Sequence, residues 1–476
     1  MSNIRKNFLY SSILTTANYI FPFLTYPYVS RVLGVDNIGI CNFVDSIINY
    51  FILFSMLGIS SVGIREIAKG HTTGKLNDTF NGLFWFIGFC TILAAIALII
   101  SIYNVPQLYK HKNLMFIGVL KLISNFLLIE WLFKGLEDFK YITQRTLIIK
   151  MLYVISVFFF IKEKSDYPIY YLLLTLMITA NAICNCIYAR KYIRIRFPKS
   201  ISNYAKPLFI MGIYALLTNM YTTFNTTFLG FKCGETQVGY FSTATKIFSI
   251  IISLYSAFTG VMLPRMSSLL AEGNHSRFSD LLHKSVDILL SMSIPLIMFS
   301  IFCAADIIQL ISGEGYEGAI LPMQICMPLI FIIGYEQIII VQGLLPLRKD
   351  KAVMINSAVG AVVGIIGCFI FITHYQSIGA SFVWIISELC VLTSASIFIY
   401  RFEHFSFPFL KLFKSILQHS PLCIALYLTS QIQINVFTRL LLNGAILCIY
   451  CFILQYYFIK QEAIVKLINT IYSKIK

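Results

Sequence analysis

The stretch that decides the fold is NYIFPFLTYPYVSRVLGVDNIGICNFVDSIINYFILFSMLGISSVGIREIAK, residues Asn18 to Lys69. It covers most of two long apolar runs, at roughly 7–30 and 39–62, which a short polar turn beside Gly34 separates. A hydrocarbon core about 30 Å thick needs about 20 apolar residues per helix, so each run is long enough to cross it. We therefore expect two membrane-spanning helices joined by a short turn.

The composition extends this expectation to the whole chain. Of 476 residues, 58% are hydrophobic and only 12% are charged, and the mean hydropathy is +0.78. A soluble globule cannot hide that much apolar surface. The formal net charge of +16 does not indicate nucleic-acid binding, because Lys and Arg are spread over many short loops. The twelve cysteines form no metal-binding array and are interpreted as small apolar residues.

Apolar runs recur along the chain and predict an all-α polytopic membrane protein with about fourteen spanning helices. The other runs lie near 80–102, 113–133, 146–161, 167–189, 207–230, 239–263, 286–304, 319–345, 352–373, 378–399, 416–430 and 437–459. The predicted organisation is an N-lobe of helices 1–6 (1–189), a basic cytoplasmic linker (190–206), a C-lobe of helices 7–12 (207–400), and helices 13 and 14 with a cytoplasmic tail (401–476).

The basic residues also predict the orientation. If the N-terminus is cytoplasmic, 27 of the 37 Lys and Arg residues lie on that side, seven lie on the opposite side and three fall within predicted helices. Cytoplasmic loops of membrane proteins carry an excess of Lys and Arg. We therefore expect both termini in the cytoplasm.

A weak internal repeat suggests that the two lobes arose by duplication. The pattern Leu33-Gly34, a short turn and Gly39 returns as Leu229-Gly230, a longer turn and Gly239. Arg65 and Arg265 each follow 26 residues after the second glycine. Duplicated bundles in transporters commonly hold the substrate at their shared interface, so a cleft between two lobes is expected.

A few charges lie inside predicted helices. A charge near the bilayer centre costs at least about 2.5 kcal/mol, so it usually faces a cavity or a partner. Lys121 is the strongest candidate for a cavity residue, with Asn125 one turn further on the same face of helix 4. Glu388 lies near the midplane in helix 12, and Asp45 in helix 2 and Lys246 in helix 8 lie at nearly matching depths in the outer half. Two interpretations stay open for these charges: they line a cavity, or they form buried ion pairs that only fix helix packing.

Other positions are less specific. Glu336 lies in a long run interrupted by prolines, where a broken backbone could line a cavity. Pro22 and Pro27 remove backbone hydrogen bonds from helix 1 and permit a bend, which would serve either as a gate or as a passive kink. Glu130 and Lys150 are expected within a few residues of the membrane surface, where their side chains reach water.

Catalytic motifs are missing from the sequence. It contains no P-loop and no H-E-x-x-H motif, and its predicted external loops reach at most about 15 residues. We therefore expect no catalytic residues and no metal site, and a transporter rather than an enzyme. A membrane polymerase would normally need larger external loops with paired carboxylates.

The opening helices resemble those of bacterial polysaccharide flippases of the Wzx type, in the multidrug/oligosaccharidyl-lipid/polysaccharide (MOP) flippase superfamily. The pieces that carry this resemblance are Pro27-Tyr28-Val29-Ser30-Arg31, Leu33-Gly34 with Gly39, Gly63-Ile64-Arg65-Glu66-Ile67-Ala68, Gly239-Tyr240-Phe241 and Leu263-Pro264-Arg265-Met266. The resemblance implies two six-helix lobes around a central cavity that opens alternately to each side. It also implies an undecaprenyl-diphosphate-linked oligosaccharide as substrate.

This substrate gives the buried charges expected roles. A diphosphate crossing the membrane needs cations, which Lys121, Lys246 and Arg31 would supply. Coupling to H⁺ or Na⁺, without any cofactor, would run through Asp45, Glu336 or Glu388. The resemblance implies a bacterial cytoplasmic (inner) membrane location, with a polysaccharide polymerase and a chain-length regulator as partners. A drug or metabolite exporter of the same superfamily, a lipid II flippase and, less favoured, a membrane polymerase remain alternatives.

Overall fold

A computed structural model describes residues 2–198 and 204–458 of the chain. These residues form helices joined by short turns, with no strand among them. In chain order the α-helices are α1 (Ser2–Met56), α2 (Ile59–Thr72), α3 (Leu76–Asn104), α4 (Pro106–Lys110), α5 (Lys112–Leu127), α6 (Glu130–Gly135), α7 (Phe139–Phe160), α8 (Tyr167–Ala189), α9 (Ala205–Cys233), α10 (Glu235–Ala271), α11 (His275–Phe302), α12 (Ala304–Ser312), α13 (Ile320–Cys326), α14 (Leu329–Gln337), α15 (Asp350–Gly367), α16 (Thr373–Glu403), α17 (Phe409–Ser430) and α18 (Val436–Ile453).

Nine helical stretches in the described residues are long and apolar enough to cross a membrane, and the bent helix α10 makes ten. Two of the nine, Thr16–Thr72 and Asp350–Glu403, contain 57 and 54 residues. At 1.5 Å per residue each is about 80 Å long, more than twice the thickness of a hydrocarbon core, so each accounts for two crossings. Counting each of them twice raises the number of crossings in the described residues to at most twelve, which is consistent with the prediction of about fourteen.

The side chains of α3 illustrate how these helices use lipid as a solvent. Its buried residues include Leu83, Ile87 and Leu98, while its exposed residues include Phe89 and Ile96. Apolar exposure of this kind is stable only where acyl chains replace water. The chain is therefore a multi-pass membrane protein.

Two glycines mark equivalent turns between consecutive helices. Inside α1, Gly34 has φ 76° and ψ 169°, and after α9, Gly234 has φ 86° and ψ 174°. Glycine adopts a positive φ at little cost because it has no Cβ. The expected match of Gly34 with Gly230 across a longer second turn is wrong, since α9 remains helical through Gly230 as far as Cys233. The two turns have the same length.

The second half of α1 crosses α10, and residues that lie 200 positions apart in the sequence contact each other there. We call this region, Asp36–Asn42 with Thr236–Ser242, the twofold crossing. The Thr236 hydroxyl donates to Asp36 Oδ1 at 2.5 Å. The Asn42 amide donates to Ser242 Oγ at 3.1 Å. Equivalent residues of two copies touch each other only at a twofold axis, so these contacts support the duplication.

Glycines bring the two helices together at this crossing. A Cβ on Gly39 would lie 1.8 Å from the carbonyl oxygen of Glu235, and a Cβ on Gly239 would lie 2.3 Å from that of Val35. The two contacts are equivalent, because Gly39 and Gly239, like Val35 and Glu235, lie 200 positions apart in the sequence. Any larger side chain would push the helices apart.

Among the described residues, contacts divide the chain into two compact units. The first lies within Met1–Lys246 and Met354–Cys390, and the second lies within Ile247–Val353 and Val391–Lys476. These bounds describe packing in this structure, and the predicted lobes at 1–189 and 207–400 remain a prediction. The charged cluster and the cavity described next both lie in the first unit.

Candidate functional site

Asp45 of α1 and Lys121 of α5 form an ion pair inside the first unit. The Lys121 ammonium donates to Asp45 Oδ1. Lys121 lies nine residues beyond the start of α5, about 13 Å along the helix axis. The Lys121 side chain is 12% exposed and that of Asp45 is 32% exposed. Because Asp45 stays accessible, this pair is not sealed into the helix packing.

Two uncharged groups donate to the same carboxylate. The buried Tyr171 of α8 donates its hydroxyl to Asp45 Oδ1 at 3.1 Å. Asn49, one turn further along α1, donates its amide to Asp45 Oδ2 at 3.4 Å. Three helical segments thus supply donors to one carboxylate, and this arrangement is what an anion-binding site requires.

Lys246 of α10 adds a second cation near this carboxylate. Its ammonium lies 4.4 Å from the centre of the Tyr26 ring. Tyr26 is held in place by a hydrogen bond of 2.6 Å between its hydroxyl and that of Thr243. The cluster of Asp45, Lys121 and Lys246 therefore combines two basic side chains with one acidic side chain within membrane-spanning helices.

A cavity of about 470 Å³ lies further along the same helices. Its polar lining consists of Ser60 and Ser61 of α2, Asn125 of α5, Glu130 and Lys134 of α6, and Asn219 of α9. Asn125 is one helical turn from Lys121 and donates to the Lys121 carbonyl at 2.9 Å. Asn125 lines the cavity, whereas Lys121 turns to Asp45, and a shared role of the two residues in substrate binding stays a prediction.

Two breaks in the helices shape this cavity. Leu57, between α1 and α2, has φ 43°, and Ile129, between α5 and α6, has φ 35°. Both residues line the cavity. A positive φ is uncommon for a non-glycine residue and a true outlier for a β-branched one. Backbone strain of this kind persists only where the surroundings enforce it, and it is concentrated at functional sites.

Glu130 lines the cavity and holds a charge network, and its expected position near the membrane surface stays a prediction. Arg145 donates to its Oε1 at 2.9 Å, and Lys134 lies 3.1 Å from its Oε2. Arg145 is buried and also donates to Asn185, whose amide donates to the carbonyl of Leu128. The network therefore secures the break before α6. In the sequence, the only signal for this network was a Glu followed by a Lys four residues later, Glu130 and Lys134.

Lys150 departs from its expected place. It is buried and donates to Asn18 Oδ1 at 2.5 Å and to the carbonyl of Ala17 at 3.4 Å. The Lys150 side chain is therefore buried against Asn18 of α1 instead of reaching water as expected.

The predicted gate residues lie in the first half of α1. The helix continues through Pro22 and Pro27, and Gly34 is the residue at which its dihedral angles leave the helical range. Hydroxyls in this segment satisfy backbone carbonyls, as when Ser30 donates to the carbonyl of Tyr26 at 2.8 Å. Arg31 is exposed near the Gly34 turn. A gating role for the prolines stays a prediction.

The two other predicted carboxylates lie in different units. Glu388 is buried in α16 and accepts a hydrogen bond of 3.0 Å from the Trp384 indole. Glu336 belongs to α14, just before a π-helical segment, Ile338–Leu344. In this run α13 ends at Cys326 and α14 begins at Leu329, and the expected role of Glu336 in a cavity stays a prediction. In the described chain, no group of three His, Cys, Asp or Glu side chains could hold a metal ion.

Membrane-spanning helices, a charged cluster within them and an adjoining polar cavity define a membrane transporter. A family model described as "Polysaccharide biosynthesis protein" matches residues 4–270. The chain belongs to this family.

Curated relatives and solved structures agree with this class. The chain is similar to a protein from Escherichia coli (strain K12) whose name describes an O-antigen transporter, at 26% identity over 84% of this chain and 97% of that protein. A similarly named Shigella dysenteriae protein is 24% identical over 56% of this chain and 68% of that protein.

Among solved structures, the fold is similar to that of "Lipid II flippase MurJ, inward closed conformation". The TM-score is 0.76 at 16% identity, covering 95% of this chain and 99% of that chain. An inward-facing multidrug resistance MATE family transporter of the MOP superfamily gives a TM-score of 0.61 at 14% identity, covering 82% of this chain and 97% of that chain. The predicted MOP-like all-α fold is confirmed.

Proposed function

We propose that this protein is a flippase that moves lipid-linked oligosaccharide repeat units from the cytoplasmic to the outer leaflet for surface polysaccharide synthesis. The observation that carries the proposal is the cluster of two lysines, Lys121 and Lys246, with the partly exposed carboxylate of Asp45. A diphosphate needs cationic donors to leave water, and charge-assisted hydrogen bonds are the strongest ones available. The similarity to O-antigen transporters supports the same substrate class.

The substrate would occupy the cluster and the neighbouring cavity together. The diphosphate would bind Lys121 and Lys246, with Arg31 receiving it nearer the outer surface. The sugars would lie against the amides and hydroxyls of the cavity, of which Asn125 is one helical turn from Lys121. The lipid tail would stay in the bilayer, because an acyl chain gains nothing by leaving it.

Alternating access would use the contacts at the end of the first unit that carries the Gly34 turn. The twofold crossing closes the end with the Gly34 turn, and Glu235 is bound there by Lys110 and His111 at 2.7 Å each. We place this end outside and both termini in the cytoplasm of a bacterial inner membrane, in keeping with the distribution of basic residues. Bending of helix 1 at Pro22 and Pro27 would open the closed end.

Coupling to H⁺ or Na⁺ would use Asp45, Glu336 or Glu388. A carboxylate that binds a cation in one state and not in the other supplies the differential affinity that transport needs. A polysaccharide polymerase and a chain-length regulator are the proposed partners outside the membrane core. A drug exporter for cationic substrates would favour an excess of acidic groups, the opposite of the charge in this cluster.

The test is the substitution Lys121→Gln, with Lys112→Gln as its control. Lys112 begins the same helix and is exposed, so its replacement removes the same charge outside the cluster. Lys121→Gln should abolish surface polysaccharide at a normal level of membrane protein, while Lys112→Gln should preserve it. Unchanged export in the Lys121 variant would remove Lys121 from the mechanism.

A second assay separates the substrate classes. Proteoliposomes containing the protein are supplied with an undecaprenyl-diphosphate-linked oligosaccharide or with lipid II, and appearance of the headgroup in the opposite leaflet is measured. Transport of the oligosaccharide supports the proposal, and transport of lipid II alone would replace it with a lipid II flippase.

A further inference from the structure

We infer that the Asp45 carboxylate occupies the place of a substrate phosphate, so that the diphosphate must displace Asp45 from Lys121 in order to bind. This inference rests on the proposed function and adds an internal competitor to its anion site. Asp45 then acts as a positioning residue that holds the lysine ready and keeps unwanted anions out.

The donors around Asp45 match those that phosphate oxygens accept. The Lys121 ammonium and the Tyr171 hydroxyl both donate to Oδ1 of Asp45. An amide from Asn49 serves Oδ2. Phosphate and carboxylate oxygens accept hydrogen bonds from the same donors, and both bind most strongly to charged ones.

Charge makes the exchange favourable for a diphosphate and unfavourable for a weaker anion. With Asp45 bound to Lys121, a second basic side chain remains in the cluster, since Lys246 holds its ammonium over the Tyr26 ring. A group with two negative charges gains attraction from both lysines, whereas a singly charged anion merely replaces the attraction already provided by Asp45. The internal carboxylate therefore selects for the more highly charged ligand.

The geometry allows Asp45 to withdraw. Its side chain is 32% exposed, so it is not locked by surrounding atoms. Asn49 binds Oδ2 rather than the oxygen that Lys121 uses. The carboxylate thus keeps one donor on its own helix after Lys121 has turned to the phosphate, and it is not left buried without a partner.

The test uses the full-length protein in nanodiscs with farnesyl diphosphate as the probe. Asp45→Asn removes the competing charge, and Asp78→Asn, at the exposed start of α3, removes the same charge elsewhere. If the competitor holds Lys121 about nine-tenths of the time, its loss should tighten binding about tenfold. Lys121→Gln should weaken binding, and Asp78→Asn should leave it unchanged.

Each outcome has one meaning. Tighter binding by Asp45→Asn with less surface polysaccharide supports the inference, because a ligand that binds too tightly is released slowly. Binding equal to or weaker than that of the native protein would overturn the inference while leaving the role of Lys121 intact. If the native protein and Lys121→Gln bind the probe equally poorly, the proposed function fails instead. Asp45→Ser, tested in the same way, replaces the Asn variant if the latter does not fold.

Discussion

The substitution Gly39→Ala should open the twofold crossing. The added Cβ would lie 1.8 Å from the Glu235 carbonyl oxygen, where an ordinary contact begins at 3.4 Å, so the helices must separate by about 1.6 Å. The obstacle is backbone and cannot rotate away. Overpacking costs about 1–3 kcal/mol, which corresponds to a shift of about 5-fold to 150-fold between two conformations.

The assay is cross-linking between cysteines placed at Asp36 and Thr236, whose side chains are hydrogen-bonded at 2.5 Å. The twelve native cysteines are first replaced. Gly39→Ala should reduce the cross-linked fraction and the export of polysaccharide together, because the closed end is populated less. Gly444→Ala is the control, since a Cβ there would have no atom within 4 Å.

A graded comparison makes the reasoning refutable. A Cβ on Gly239 would lie 2.3 Å from the Val35 carbonyl oxygen, which requires a separation of about 1.1 Å. Gly239→Ala should therefore act in the same direction as Gly39→Ala and more weakly. Unchanged cross-linking in both variants would mean that the crossing does not control the closed state.

Two further substitutions test local features of the fold through thermal unfolding of the purified protein. Gly234→Ala should lower the free energy of unfolding by about 1–2 kcal/mol because its φ of 86° disfavours a Cβ. Gly260→Ala is the control, because a Cβ there has equally open space but the backbone is helical. This variant should be neutral or stabilise the protein by up to about 1 kcal/mol. Equal effects of the two substitutions would refute backbone strain at Gly234. Asp306→Asn should cost about 3 kcal/mol, because Arg439 forms bonds of 2.7 and 2.5 Å with a carboxylate that is only 11% exposed. A double-mutant cycle with Arg439→Met should show coupling, and additive effects would contradict the pairing.

Sequence patterns were sufficient to predict the helices, because the ability of a segment to cross a bilayer depends only on the hydrophobicity of consecutive residues. The turn near Gly34 and the interruption before α14 both follow from residues adjacent in the chain. The repeat was harder to read. Its glycines at 39 and 239 were visible, but the partner of Gly34 was misassigned, because only the backbone dihedral angles distinguish Gly234 from Gly230.

The site was predictable in part. Depth along a helix marked Asp45, Lys121 and Lys246 as unusual charges, and in the structure Lys121 pairs with Asp45 while Lys246 lies over the Tyr26 ring. The place of Glu130 in the cavity lining was not predicted, because depth alone does not reveal a break in a helix. The left-handed conformation of Ile129 turns the chain there and places Glu130 beside Arg145.

The sequence by itself determined that this chain crosses a membrane many times and which ionisable groups it carries among its helices, since hydrophobic length and residue depth depend only on neighbours in the chain. Tertiary structure decided which groups meet. Lys121 binds Asp45 across 76 residues of sequence, and Gly39 packs near Gly239 at a distance no side chain would allow. Such contacts depend on how each helix is rotated and where its backbone breaks, and packing of the whole bundle sets both.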